Sequence, residues 1–189
     1  MNMKVMIIPG NGNTDISENW FPYVKKGLEA LGIEIIAKNM PDAKLARRKY
    51  WIPFIEKNLD GENDAILIGH SSGAVAILRY LETHKILGAV IVGACYTDIE
   101  LEEEKLSGYF DDEWRWDKIK QNAKWIIQFA STNDPYIPIE EPRFIRDKTG
   151  SEYHELENQG HMGADVNKTE FPEIVEIIKR KLDSVKVSK

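Results

Sequence analysis

Ala65-Ile-Leu-Ile-Gly69-His70-Ser71-Ser72-Gly73-Ala74 is the stretch on which the reading of this chain turns. Its first half is apolar without alternation, the pattern of a strand buried on both faces of a sheet. Its second half opens an apolar-rich helical stretch, Ala74 to Glu82. Between them lies Gly-x-Ser-x-Gly, with Ser71 at its centre. A strand that turns directly into a helix strains its central residue, and only small residues fit on either side. The turn lifts the hydroxyl above the strand ends, beside the positive end of a helix. A glycine-rich turn in any doubly wound sheet shares this pattern, so residues elsewhere must supply the chemistry.

Working outward, further strands are predicted at Lys4 to Pro9, Glu34 to Ala37, Gly88 to Gly93, Trp125 to Ala130 and Glu152 to Leu156. Helical spacing marks Trp20 to Leu31, which Gly32 would stop, and Asp42 to Leu59, with Asp42 as N-cap and Pro53 as a kink or break. Two more helices are predicted from about Ile139 to Lys148 and from Phe171 to Leu182. This alternation gives an α/β class, with a mostly parallel central sheet and helices on both faces. With neither repeat nor low-complexity linker, residues 1–189 are expected to form one domain.

Thr97 to Asp117 departs from the pattern: it is too long for a minimal connection and follows a strand end, where such sheets bind ligands. It carries the acidic run Glu100, Glu102, Glu103 and Glu104, read as solvated surface. The aromatics Tyr109, Phe110, Trp114 and Trp116 follow. They either fold back onto the core or line a substrate pocket as a short cap, and the cap makes them candidate substrate-binding residues.

Composition excludes several partners. Twenty-five basic residues face 31 acidic ones, for a net charge of −6, and the basic residues form no stripe, so no nucleic acid is expected. The longest nearly apolar run, Leu87 to Cys95, is too short to cross a bilayer, and Met1 to Pro9 lacks the form of a secretory signal. Cys95 is the single cysteine, which excludes an internal disulfide and a cysteine-rich zinc site. A soluble cytoplasmic protein without metal or cofactor is expected.

A serine hydroxyl is a weak nucleophile and needs a base, itself oriented by an acid. In sheets of this type the order is serine, acid, histidine. Asp134 follows the strand Trp125 to Ala130 in a turn fixed by Pro135, and His161 follows the last strand in a mobile-looking loop between Gly160 and Gly163. Asp98, past an earlier strand, is the alternative acid; His70, His84 and His154 read as surface or packing residues. The oxyanion formed in acyl transfer needs two donors. Here they are the backbone amide of Ser72, after the nucleophile, and that of Asn11, in the loop Pro9-Gly10-Asn11-Gly12-Asn13 after the first strand.

The stretches Ile8-Pro-Gly-Asn-Gly12, Ala37-Lys-Asn-Met-Pro-Asp42, Trp51-Ile-Pro-Phe54, Ile68-Gly-His-Ser-Ser-Gly-Ala74, Arg79-Tyr-Leu-Glu-Thr-His84, Ser107-Gly-Tyr-Phe110, Trp114-Arg-Trp116, and Gln128-Phe129 with Asp134-Pro135 resemble the retinoblastoma-binding-protein-9 and YdeN-like family of small serine hydrolases. The resemblance runs through nearly all of the chain. It implies a three-layer α/β-hydrolase fold with a minimal cap, and it carries nucleophile, acid and base onto Ser71, Asp134 and His161. The family takes its name from a Leu-x-Cys-x-Glu motif for pocket proteins. Leu59-Asp-Gly-Glu-Asn63 lacks both its cysteine and its glutamate, so pocket-protein binding through that motif is not expected. The expectation is a serine hydrolase acting on a small-molecule or peptide-like ester, thioester or amide. The alternative is a binding or scaffold protein built on a hydrolase fold with little turnover.

Overall fold

The computed structural model describes residues 3–187. Six strands, β1 (Lys4–Ile8), β2 (Glu34–Ala37), β3 (Ile66–His70), β4 (Ile86–Val92), β5 (Ala123–Ser131) and β6 (Glu152–Leu156), form one sheet in the order β2-β1-β3-β4-β5-β6. Every neighbouring pair is parallel. The helices are α1 (Phe21–Glu29), α2 (Arg48–Leu59), α3 (Ser72–Leu81), α4 (Glu102–Ser107), α5 (Trp116–Asn122), α6 (Glu140–Thr149) and α7 (Pro172–Val187).

Successive strand residues point to opposite faces, and both faces are covered. Met6, Ile8, Leu67, Ala89, Ile91 and Ile126 pack into one apolar layer with α2, α3, α5 and α6. Val5, Ile7, Ile66, Ile68, Val90, Val92, Ile127 and Phe129 pack into the other, beneath α1 and α7. Each fully buried aliphatic side chain contributes about 1.5–3 kcal/mol. That double burial is why β1, β3 and β4 read as nearly unbroken apolar runs. From β1 the chain runs to β2 on one side, then returns to place β3 on the other. The connections leaving β1 and β3 therefore diverge, opening a crevice at their carboxyl ends.

Around α2 two expectations change. The helix expected from Asp42 begins at Arg48, because the Asp42 carboxylate closes a separate turn. It accepts hydrogen bonds from the Arg47 amide (3.1 Å), Nε (2.8 Å) and Nη2 (2.7 Å). Pro53 lies inside α2 without ending it, on the exposed side, where water can take the carbonyl it leaves unpaired.

The excursion folds α4 and the chain after it over α3. Arg79, with no exposed side chain, fastens it there. Its guanidinium donates to the carbonyls of Tyr109 (2.7 Å), Asp112 (2.7 Å) and Glu113 (3.3 Å), pairs with Glu82 (2.8 Å), and lies 3.6 Å from the centre of the Trp114 ring. The Trp114 indole donates to the Tyr96 carbonyl (2.8 Å). Tyr109 is fully buried, and Phe110, Trp114 and Trp116 pack against the same apolar layer. Among the described residues no helix is long and apolar enough to cross a membrane.

Candidate active site

Ser71 stands between β3 and α3 with φ 54° and ψ −123°, a conformation that favours glycine. The flanking glycines are required by contact. A Cβ on Gly69 would lie 2.5 Å from the Gly73 carbonyl group, and one on Gly73 would lie 2.3 Å from the Ile8 oxygen. The loop after β1 is pressed against Ser71 as well, since a Cβ on Gly10 would come within 3.2 Å of the Ser71 Cβ.

Asp134 lies in the turn after β5. Its Oδ1 accepts the amides of Tyr136 (2.9 Å) and Ile137 (3.0 Å), which aims Oδ2 at His161 Nδ1, 2.7 Å away. A carboxylate only accepts, so Nδ1 carries the proton of this hydrogen bond. The ring lies over the end of β4, where a Cβ on Gly93 would be 3.2 Å from His161 Cε1. Asp98, the alternative acid, accepts the Glu100 amide (2.9 Å), and among the described residues it is Asp134 that meets the His161 ring.

The histidine loop is held on several sides, contrary to its glycine-flanked look. The His161 amide donates to Asp165 Oδ2 (2.7 Å) and the Gly160 amide to Asn133 Oδ1 (3.0 Å). The His161 carbonyl accepts from His70 Nε2 (2.8 Å), and the Met162 carbonyl from the buried Trp20 indole (2.9 Å). Glycine allowed the tight turn at Gly160 (φ 51°), and these side chains then fixed it.

Ser71, His161 and Asn11 line one cavity of about 380 Å³ at the carboxyl ends of the strands. Among the described residues the amides of Asn11 and Ser72 donate to no protein acceptor. Ser72 is also the first residue of α3, where the helix end adds positive potential. Cys95 reaches the same cavity, but burial, reinforced by the charges of Glu104 and Glu141, pushes its thiol well above the usual range. It is a poor nucleophile there.

The cavity wall corrects the aromatic expectation. Tyr109, Phe110, Trp114 and Trp116 do not line it; the Arg79 network draws them down onto α3 and its apolar layer. Ile99, Leu101 and Tyr136 stand there instead, with Thr14, Lys44 and Glu104. The acidic run is also split. Glu100, Glu102 and Glu103 are exposed, whereas Glu104 is buried, with 6% of its surface accessible. Nothing in a run of four acids distinguishes the member that turns inward. Asp165 had one weak signal, its position four residues after His161 in a tight turn.

Comparison with known proteins agrees with this architecture. A family model described as serine hydrolase matches residues 5–180. Serine hydrolase RBBP9 of Rattus norvegicus is 41% identical over 181 residues, spanning 95% of either chain. The YdeN protein of Bacillus subtilis is 28% identical over 187 residues, 94% of this chain and 95% of that one. The crystal structure of the ydeN gene product superposes with a TM-score of 0.87 at 24% identity, covering 96% of this chain and 99% of the other. The chain thus belongs to the serine hydrolase family and is a hydrolase built on the α/β-hydrolase fold.

Proposed function

We propose that the enzyme cleaves a small ester, thioester or amide through an acyl-enzyme formed on Ser71. The observation that carries this reading is the 2.7 Å bond between His161 Nδ1 and Asp134, made at the edge of a cavity that His161 shares with the strained Ser71. Ser71 Oγ attacks the substrate carbonyl while its proton passes to His161 Nε2, and Asp134 stabilises the imidazolium. The amides of Ser72 and Asn11 receive the oxyanion, each donor contributing on the order of 3 kcal/mol to the transition state. Collapse expels the alcohol, thiol or amine, which takes its proton from His161. A water deprotonated by His161 then attacks the acyl carbonyl, and Ser71 departs with that proton.

The size of the cavity favours a small or extended acyl group, and a single buried thiol fits work in the cytoplasm. The test is labelling with a fluorophosphonate probe. Wild type should label and Ser71→Ala should not; equal labelling would remove Ser71 from its role. A screen of acyl esters, thioesters and amides would then name the bond.

A further inference from the structure

Glu104 is the one acid of the cap run that the fold takes inside, on the short helix α4. Its Oε1 accepts from two side chains at once, Asn11 Nδ2 (3.0 Å) and Ser72 Oγ (3.2 Å). Those partners lie 93 and 32 positions away in the chain. They are also the two residues whose backbone amides are assigned to the oxyanion. Its other oxygen, Oε2, is buried without a hydrogen-bond partner among the described residues, and burial raises the carboxyl pKa. An unsatisfied buried carboxyl oxygen costs stability, so packing gives no reason for an acid at this position.

We propose that Glu104 is a positioning residue that ties Asn11 and Ser72 together from the cap, so that their two amides converge on one point. This rests on the acyl-enzyme reading. Ser72 is anchored by the start of α3, whereas Asn11 sits in a loop that follows β1. A shared acceptor fixes the loop against the helix. Donors that must meet a developing charge gain from being held within a fraction of an ångström. The charge exists only in the transition state, so loosening the tie lowers kcat and leaves KM nearly unchanged. Complete loss of one donor costs roughly 100- to 1,000-fold, and a loosened pair should cost less.

The experiment is steady-state hydrolysis of p-nitrophenyl acetate by wild type, Glu104→Ala, Glu104→Gln, Asn11→Ala and Ser71→Ala, with unfolding temperatures recorded alongside. Glu104→Ala should lower kcat at least tenfold with KM within threefold, and Glu104→Gln, which restores an acceptor oxygen, should recover most of that loss. Asn11→Ala keeps its backbone amide and loses only the tie; it should lower kcat at least fivefold. Unchanged kcat in Glu104→Ala, a loss confined to KM, or no recovery in Glu104→Gln would overturn the proposal. Should Glu104→Ala fail to fold, Asn11→Ala decides alone, and full kcat there rejects the tie. Undiminished turnover by Ser71→Ala would reject the acyl-enzyme reading itself, a separate result from any in the Glu104 series.

Discussion

His70 stands next to Ser71, the proposed nucleophile, and holds the loop of His161, the proposed base. Its Nε2–H donates to the His161 carbonyl (2.8 Å), its ring centre lies 4.8 Å from that of His161, and its Nδ1 is buried without a hydrogen-bond partner among the described residues. Burial, with His161 adding to it, pushes its pKa down to about 3. The unfolded chain takes up this proton near pH 6.5, so between about 6.5 and 3 it binds a proton that the native state refuses. The native advantage is complete above pH 6.5 and declines as pH falls through that window, by at most ~1.4 kcal/mol per unit. His70→Gln carries an N–H but cannot titrate there. Its melting temperature should fall less than that of wild type between pH 7 and pH 4.5, and parallel curves would refute the assignment. Gly73→Ala tests sterics at the same scale. Its Cβ would meet the Ile8 and Pro9 oxygens at 2.3 and 2.5 Å, so a loss of about 2–3 kcal/mol in urea unfolding and slower fluorophosphonate labelling are expected.

Among the elements, α3 and the excursion above it are coupled through one guanidinium. Arg79→Met would leave the buried Glu82 with the Arg115 amide (2.9 Å) and, as its nearest cation, Arg48 at 3.9 Å, and three carbonyls without their donor. A loss of about 3–5 kcal/mol is expected, lowering the melting temperature by roughly 10 °C. Arg79→Lys should lose less, and a melting temperature within a degree or two of wild type in Arg79→Met would show that the network is slack. This network also marks where sequence reading stops. The inner strands β1, β3 and β4 were legible because each is apolar on both faces. The elbow was legible because Gly-x-Ser-x-Gly between a strand and a helix is a local pattern, even though Gly73 answers to the distant Ile8 and Pro9 oxygens. The fate of Trp114 and Tyr109 depends on a cation some thirty positions upstream, which periodicity does not register. Asp42 looked like a helix cap because its pull toward Arg47 is made by side-chain geometry. Glu104 was hidden for a similar reason: hydropathy averages over a run, and burial here selects one member of it.

For the molecule as a whole, the candidate site draws one residue from each of several strand ends. Asn11 follows β1, Ser71 follows β3, Asp134 follows β5 and His161 follows β6. The sheet that spaces them also divides the two apolar layers, so neither layer is complete without it. One cooperative transition is expected, with esterase activity, near-ultraviolet and far-ultraviolet circular dichroism sharing a urea midpoint. Activity vanishing at markedly lower urea, with the sheet signal intact, would mean that the β6 side comes away alone. The torsion of Ser71 has a last consequence. A residue with a side chain held at φ 54° costs the native state about 1–3 kcal/mol, and glycine would sit there without that burden. The Ser71→Gly protein, inert under the proposed mechanism, should then outlast wild type on heating: on that reading, reactivity at this hinge is kept at the expense of durability.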